Sequence, residues 1–257
     1  MKYKRVVIKI GTAILTKNGK LSKKRILNIA DLVMRLKKIG IDIILVSSGA
    51  VSAGHIKLQL DKTKLVNRQA LASIGQTYLM SIYQKEFYKF DITISQVLLT
   101  RTDFDSRKRS SNIKQTINVL LKNGILPIIN ENDSVATDEL VFGDNDQLSA
   151  YSTHFLDADV LVILSDIDGY FDKNPHIYAD AKIRKLVQEI NDYELLQEVS
   201  PNNEFATGGI VTKLKSAKFL MDRSQSMFLS SGINLKFVEK FITGQSYKKG
   251  TLFKSKI

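Results

Sequence analysis

The sequence predicts an α/β fold in which a mostly parallel sheet lies between layers of helices. Two observations predict it. Short runs rich in valine and isoleucine recur along the chain, and such continuous apolar runs are typical of parallel strands covered on both faces. Amphipathic segments of helical periodicity lie between them, and this alternation favours right-handed crossovers. No linker-like or repetitive tract divides the 257 residues, so we expect a single domain over residues 1–257.

The clearest strands are apolar runs of six to nine residues bounded by polar or glycine-rich stretches. They are "RVVIKI" at 5–10, "IDIILV" at 41–46, "DITISQVLL" at 91–99, "GILPIIN" at 124–130, "DVLVILS" at 159–165 and "MFLSSG" at 227–232. The remaining C-terminal stretch, "FITGQSYKKGTLFKSKI", is short and irregular. We expect it to form a closing hairpin with the last strand.

Two helices are predicted from their apolar faces. Ser22–Ile39 and Asn112–Lys122 each carry apolar residues at helical spacing. Gly40 and Gly124 follow these segments, where a left-handed cap favours glycine. A longer segment of mixed polarity, Lys64–Phe90, could form a subunit interface.

Composition limits the classes of protein to consider. The chain has no cysteine, which excludes disulfides, thiolate metal sites and cysteine nucleophiles and fits a reducing cytoplasm. No apolar run approaches the roughly 20 residues of a membrane-spanning helix. The start, "MKYKRVVIKIGTAIL", is basic and then apolar, but Lys9 and Gly11 interrupt the apolar run. It therefore reads as a strand rather than a secretion signal.

The formal net charge of +12 raises the question of a polyanionic partner. The lysines are spread along the whole chain, and no motif interleaves basic and aromatic residues as RNA-stacking surfaces do. The charge suits an enzyme that handles anions. We rank anionic small-molecule substrates above nucleic acid.

Polar or glycine-rich loops follow most of the predicted strands. In open α/β sheets, ligands bind outside the carboxyl ends of the strands, where loops lead into helices. The loops are "KIGTA", "SSGAVSAG", "NENDSVATDELVFGDNDQLSA" and "SDIDGYFDKNP", and a later helix begins with "ATGGIVTKLKSA". Taken singly, "SSGA", "SDIDG" and "GDND" are also ordinary turn sequences. Together they predict one binding site at this edge.

Two features point to a phosphate. Lys9 lies in a strand expected to be central, where a lysine is rarely buried without an anionic partner. The run Thr207–Lys213, "TGGIVTK", places two glycines and a lysine at a helix start. Glycines let backbone N–H groups approach a ligand, and the helix N-terminus favours negative charge.

Familiar phosphate and metal motifs do not fit. Gly49 and Gly54 have the spacing of a P-loop, but His55 and Ile56 follow where Lys and Ser or Thr are required. No GxGxxG fingerprint or protein kinase motif set is present. The three histidines lie far apart, so we interpret them as structural or surface residues rather than metal ligands. The sequence leaves open which protein groups, if any, bind a metal.

Seven stretches, taken together and in order, resemble the amino acid kinase family from Val6 to Phe253. They are "VVIKIGTAILT", "VSSGAVSAG", "RQALASIGQ", "INENDSVAT", "FGDNDQLSA", "SDIDGYFDKNP" and "ATGGIVTKLKSA". The resemblance is to the branch that acts on glutamate. It implies a three-layer αβα sandwich whose N-terminal part, about 1–150, binds the amino acid and whose C-terminal part, about 151–257, binds ATP.

The resemblance implies an enzyme that transfers the γ-phosphoryl group of ATP, bound with Mg²⁺, to the side-chain carboxylate of L-glutamate. The product is L-glutamyl 5-phosphate, and the reaction is the first step of proline biosynthesis in the cytoplasm. Such a reaction needs no general base, because the glutamate side chain is already ionised at neutral pH. The catalyst must instead suppress charge repulsion and hold donor and acceptor in line.

The resemblance also implies a role for individual residues. Lys9 and Lys213 are the implied catalytic lysines, and Asp146 is implied to orient both, with Asp144 left open as the alternative. The implied ATP-binding residues are Lys9, Gly11, Ser165, Asp166, Thr207, Gly208, Gly209, Ile210, Val211, Thr212 and Lys213. The implied residues for the amino acid are Ser48, Gly49, Asp133 and Asn145.

Further expectations follow from the same resemblance. Many bacterial relatives carry a C-terminal PUA domain, which we expect this chain to lack. A dimer or tetramer is implied, with channelling of product to glutamate-5-semialdehyde dehydrogenase, and inhibition by proline stays open. The first alternative is another family member acting on a different carboxylate, a carbamate or a nucleoside monophosphate. The second is a basic RNA-binding or regulatory protein.

Overall fold

The computed structural model describes residues 3–136, 145–175, 177–195 and 209–256. In that part of the chain, strands β1 to β10 are Arg5–Ile10, Thr16–Lys17, Lys20–Leu21, Asp42–Ser47, Ile94–Leu99, Leu126–Glu131, Val160–Ser165, Leu186–Val187, Ser226–Ser231 and Thr251–Phe253. Helices α1 to α10 are Thr12–Leu15, Lys23–Lys38, Ala50–Lys57, Leu65–Tyr88, Arg101–Asp105, Arg107–Lys122, Asp146–Phe155, Asp192–Leu195, Gly209–Met221 and Lys236–Ile242.

Eight strands form one sheet in the order β5-β6-β4-β1-β7-β9-β10-β8. Neighbouring strands are parallel except β9 and β10, which are antiparallel. The short strands β2 and β3 pair separately as an antiparallel ribbon. The predicted mostly parallel sheet is confirmed, with β1 near its centre.

Helices cover both faces of this sheet, as the alternation of side chains along β1 shows. Val6, Ile8 and Ile10 pack in one apolar cluster with residues of α2, α4 and α10. Val7 belongs to a second cluster with residues of α6, α7 and α9. Because side chains two residues apart share a face, Lys9 lies on the same side as Val7. The predicted three-layer αβα sandwich is confirmed.

The predicted strands lie within three residues of the observed ones, and the glycine caps are also confirmed. Gly40 and Gly124 have φ angles of 79° and 74°, the left-handed region that glycine adopts without strain. One helix was predicted too short. It begins at Arg107 rather than Asn112, capped by Ser106, whose hydroxyl accepts from the Arg109 N–H. Its first turn is charged and exposed, so it lacks the apolar spacing that predicts a helix.

The predicted closing hairpin was wrong. Helix α10 intervenes between β9 and β10, and its Val238, Phe241 and Ile242 are buried at helical spacing. β10 then returns antiparallel to β9, with Thr251 opposite Leu229, and pairs on its other side with β8. The apolar pattern of α10 is too short for periodicity alone to reveal a helix.

The segment Lys64–Phe90 contains the longest described helix, α4, with 24 residues. Its side chains contribute to the core on the face shared with α2. Among the described residues, no helix combines the length and apolar character needed to cross a membrane.

Candidate active site

The carboxyl ends of the central strands meet at one edge of the sheet. Parallel register places Ile10, the last residue of β1, beside Ser47 of β4 and Leu164 of β7. β6 joins the same edge, since Val46 of β4 pairs with Ile129. The polar loops that follow these strands therefore leave from the same place, as the sequence predicts.

Two buried lysines share one buried carboxylate at this edge. The Lys9 ammonium lies 2.8 Å from Asp146 Oδ1, and the Lys213 ammonium lies 3.1 Å from Asp146 Oδ2. The exposed fractions are 1% for Lys9, 0% for Asp146 and 6% for Lys213. Lysine and aspartate are seldom buried to this extent unless they are paired. The three side chains join β1, α7 and α9.

Local structure fixes the position of each member of this triad. Asp146 is the first residue of α7, where the helix dipole favours a negative charge. Lys213 lies one turn into α9, and its ammonium also donates to the carbonyl of Gly209, 2.8 Å away. The Thr212 hydroxyl donates to Asp146 Oδ2 at 2.9 Å. The carboxylate therefore holds two lysines and one hydroxyl at once.

A cleft of about 150 Å³ opens beside the triad. Its lining residues come from the ends of β1 and β7, from α1 and from α9: Lys9, Gly11, Thr12, Ala13, Ile14, Leu164, Ser165, Asp166 and Lys213. A Cβ atom at Gly11 would lie 3.3 Å from the Leu164 carbonyl and 3.9 Å from the Lys9 ammonium. A side chain at this position would therefore lie against the Leu164 carbonyl and beside the lysine.

The backbone N–H of Gly11 is not offered to a ligand, because it donates to the Leu164 carbonyl at 3.2 Å. Across the cleft, the Ser165 hydroxyl donates to Asp166 Oδ1 at 3.0 Å. This hydrogen bond orients the Asp166 carboxylate at the end of β7. Both side chains line the cleft that Lys9 and Lys213 also line.

A second group of predicted residues lies around the end of β4. Gly49 adopts a φ of 93° at the start of α3, a conformation that favours glycine. The Ser48 N–H donates to the Ile10 carbonyl, and the Ser48 hydroxyl is buried without a hydrogen-bond partner in the described part of the chain. Asn145 precedes Asp146 directly, and its Nδ2 donates to the Ser47 carbonyl at 2.6 Å.

Asp133 follows β6 and is mostly shielded from water. Burial raises the pKa of its carboxyl group to about 6, although the positive charge of Arg68 opposes the shift. The pKa of a carboxyl group rises on burial because burial disfavours its charged form. An approaching ammonium group would favour the ionised form.

Three predicted residues, Asp144, Thr207 and Gly208, lie outside the described residues. Among the predicted residues that the structure describes, those for ATP line the cleft or lie on α9. Of the histidines, His154 shares a hydrogen bond with Gln225, and His176 lies outside the described residues. Within the described ranges, no group of three or more His, Cys, Asp or Glu side chains is arranged to bind a metal.

Sequence reasoning missed the residues that support this site. Asn130 and Gln76 form a hydrogen-bonded chain that ends at Asn145, and Tyr83 contacts Ser47. Asn130 and Gln76 lie inside the stretches "INEND" and "RQALASIGQ", but nothing in either stretch indicates that the two side chains meet. The role of Thr212 as a donor to Asp146 was missed for the same reason.

Comparison with known proteins agrees with this geometry. A profile of the amino acid kinase family matches residues 4–230. A protein of Wolinella succinogenes named glutamate 5-kinase is 52% identical over 254 residues, covering 97% of each chain. One of the same name from Leishmania donovani is 48% identical, covering 99% of this chain and 96% of the relative. A solved isopentenyl phosphate kinase superposes with a TM-score of 0.66 at 15% identity, covering 96% of this chain and 99% of that one, and shares the fold.

Proposed function

The chain belongs to the amino acid kinase family, and on this premise we propose that it acts as a glutamate 5-kinase. It transfers the γ-phosphoryl group of ATP to the side-chain carboxylate of L-glutamate, giving L-glutamyl 5-phosphate and ADP, the first step of proline biosynthesis. The observation that carries the proposal is the pair of buried lysines on one carboxylate beside the cleft.

The reaction forms one bond and breaks one. A glutamate side-chain oxygen attacks the γ-phosphorus, and the bond from that phosphorus to the β–γ bridging oxygen breaks, leaving ADP. The attacking carboxylate is already ionised at neutral pH, so no residue has to remove a proton. The barrier is instead the approach of one anion to another, together with the charge that develops on the phosphoryl oxygens and the leaving group.

Lys9 and Lys213 are suited to reduce this repulsion. Their ammonium groups are held by Asp146 and border the same cleft. Lysine is a flexible point charge, so the shared carboxylate confines both ammonium groups before the substrate arrives. Donors that are fixed in advance need no reorganisation during the reaction. We assign Lys9 and Lys213 to the phosphoryl group and Asp146 to their orientation.

ATP would lie along the cleft, with its phosphates toward the lysines. The N-terminus of α9 favours negative charge there, and the family resemblance assigns the run from Thr207 to Lys213 to ATP. Magnesium commonly binds substrate phosphates together with one or two carboxylates, and Asp166 supplies a carboxylate at the cleft. When bound with ATP, Mg²⁺ would neutralise part of the phosphate charge.

The amino acid would lie on the side of the cleft toward β4 and β6. Asp133 supplies an anion for the substrate ammonium group. The buried Ser48 hydroxyl and the turn at Gly49 supply donors for the α-carboxylate. Asn145 lies between this group and Asp146, so the amino acid and the catalytic lysines share one boundary of the site.

The proposal also covers the compartment, the oligomeric state and the fate of the product. We propose that the enzyme works in the cytoplasm as a dimer or tetramer and passes its labile product to glutamate-5-semialdehyde dehydrogenase. Binding of RNA is the competing class, since the net charge is +12. It would show as salt-sensitive RNA binding without ATP turnover.

Trapping of the acyl phosphate tests the proposal. The protein is incubated with ATP, Mg²⁺ and hydroxylamine, with glutamate, aspartate, carbamate or uridine monophosphate as acceptor. We expect hydroxamate from glutamate and ADP release that depends on glutamate. Hydroxamate or ADP formation with another acceptor in preference to glutamate would contradict the assignment.

The role of Lys213 is tested in the same assay. We expect Lys213→Ala to lower kcat at least about a hundredfold, as loss of a transition-state donor does. Lys215→Ala is the matched control, because Lys215 is exposed on the same helix. Near-normal turnover of the Lys213 variant would rule out the role.

A further inference from the structure

Asn145 is the end of a chain of three buried amide side chains. Its Nδ2 donates to the Ser47 carbonyl and to Asn130 Oδ1, both at 2.6 Å. Asn130 Nδ2 donates to Gln76 Oε1 at 2.7 Å, and Asn130 Oδ1 also accepts the Glu131 N–H at 2.9 Å. Gln76 lies on α4, on the far side of β6 from the start of α7.

Two backbone groups identify which way each amide points. The Ser47 carbonyl can only accept, so Asn145 must direct its NH₂ group toward it. The Glu131 N–H can only donate, so Asn130 must present its oxygen there. The Asn130 NH₂ group then faces Gln76, which must present its own oxygen. The three orientations are consistent with one another. Reversing any one amide would place two donors or two acceptors against each other.

This orientation decides what Asn145 can offer a substrate. An amide nitrogen has two hydrogens, and both are taken by Ser47 and Asn130. The oxygen Oδ1 is the atom left for a ligand, and it can only accept. Asn145 is therefore set to bind an ammonium group rather than a carboxylate.

We infer that Gln76 is a positioning residue that holds Asn130, and through it Asn145, with the carbonyl oxygen of Asn145 directed at the ammonium group of the amino acid substrate. The inference rests on the proposed function, because it requires an amino acid in this site. It adds a residue outside the loops at the edge of the sheet, on a helix behind them.

The packing of α4 explains how Gln76 reaches the site. A Cβ atom on the preceding residue, Gly75, would lie 1.7 Å from the Ala50 carbonyl of α3. Only glycine allows the two helix backbones to approach so closely. Tyr83, two helical turns after Gln76 on the same face, shares a hydrogen bond of 3.0 Å with the Ser47 hydroxyl. Helix α4 therefore supports both ends of the network.

Glutamine at position 76 has both a cost and a benefit for stability. The side chain is 9% exposed, and its Nε2 has no hydrogen-bond partner in the described ranges. Leaving a buried donor unsatisfied opposes folding, and an apolar side chain of the same size would remove that penalty. An apolar residue would in turn leave Asn130 Nδ2 without the acceptor that Gln76 provides.

Steady-state kinetics of Gln76→Met and Gln76→Glu test the inference. Methionine fills the space without an acceptor, whereas glutamate retains an oxygen for Asn130 Nδ2. We expect Gln76→Met to raise the KM for glutamate about tenfold, the effect of losing one well-placed hydrogen bond to a charged group, and to leave the KM for ATP unchanged. Gln76→Glu should restore most of the affinity.

Glutarate separates positioning from general damage, because it has both carboxylates of glutamate but no ammonium group. We expect Gln76→Met to leave its inhibition constant unchanged, so that discrimination between glutamate and glutarate falls about tenfold. Gln84→Met is the control, since Gln84 is exposed on the same helix. Wild-type and variant proteins are compared by thermal unfolding to check that they are folded.

The outcomes separate this inference from the proposed function. A wild-type protein that forms no glutamyl phosphate overturns both. An active wild type with an unchanged KM for glutamate in Gln76→Met overturns the inference alone. Equal changes in the KM for glutamate and the inhibition constant of glutarate would also overturn it.

Discussion

Asp133 shows at the scale of one residue how a group that we propose to bind substrate can oppose folding. Its ordinary pKa of 3.8 is raised to about 6, chiefly because the carboxyl group is buried. The folded protein therefore binds a proton at this site more tightly than the unfolded chain does. Ionised Asp133 weakens the fold above about pH 6, and this effect disappears as the pH falls toward 3.8.

We expect Asp133→Asn to increase the free energy of unfolding at pH 7 to 8, because it removes a charge that burial disfavours. It should also raise the KM for glutamate at least about tenfold, because it removes the anion for the substrate ammonium group. The stability gain should vanish by pH 4. In the wild type, the KM for glutamate should rise as the pH falls below about 6. Urea unfolding and initial rates across this pH range measure both effects.

The matched control for this prediction is Asp91→Asn, because Asp91 is exposed and lies in a turn after α4. At pH 7 to 8 this variant should change neither the free energy of unfolding nor the KM for glutamate. If Asp133→Asn were no more stable than the wild type at pH 8, the carboxyl group would not be desolvated as described. If its KM were unchanged, Asp133 would not bind the ammonium group.

At the scale of the element, α3 and α4 form one unit behind the proposed amino acid site. Gly54 of α3 faces Leu71 of α4, where an added Cβ would lie 1.8 Å from the backbone carbonyl. Gly75 of α4 faces the Ala50 carbonyl in the same way. These contacts are with backbone atoms, which cannot move aside as a side chain can. The two glycines together allow the helices to cross in contact.

We expect Gly75→Ala to lower the free energy of unfolding by about 2 kcal/mol or more, although alanine is the better helix former, because the helices must separate. The separation would move Gln76 and the loop at Ser48, so the KM for glutamate should rise more than the KM for ATP. Thr77→Ala, at an exposed position of the same helix, should be neutral or slightly stabilising. A Gly75→Ala protein as stable as the wild type would contradict the close packing.

Long elements with strong periodicity could be predicted from the sequence, and short or charged ones could not. The central strands and the capping glycines after α2 and α6 follow from local rules. The first turn of α6 and the whole of α10 did not, because one is polar throughout and the other spans only two turns. In both cases packing in the folded chain decides what the local pattern leaves open.

At the scale of the molecule, the edge of the sheet collects residues that are far apart in the chain. The sequence predicts which loops belong there, since polar and glycine-rich stretches follow apolar strands. It does not predict that Gln76 contacts Asn130 or that Thr212 donates to Asp146, because these contacts depend on how the helices pack. The loops of the candidate site were thus predicted, whereas the side chains that hold its residues in place were missed.

The triad of Lys9, Asp146 and Lys213 joins three elements and carries a net positive charge in a buried place. Removing one member of a buried ion pair leaves the other members unpaired in a medium of low polarity. The stability of the whole molecule should therefore depend on Asp146, even though the chemical role that we propose for it is to orient the lysines.

We expect Asp146→Asn to lower the free energy of unfolding by about 3–5 kcal/mol, measured by urea unfolding at pH 7, because two buried ammonium groups then face each other without a carboxylate. Adding Lys213→Met should recover part of that loss, since only Lys9 then stays uncompensated. Asp31→Asn removes an exposed ion pair with Arg35 and should change stability by less than about 1 kcal/mol. Additive losses in the double variant would mean that Asp146 and Lys213 stabilise the fold independently, and the shared carboxylate would not be what holds β1, α7 and α9 together at the cleft.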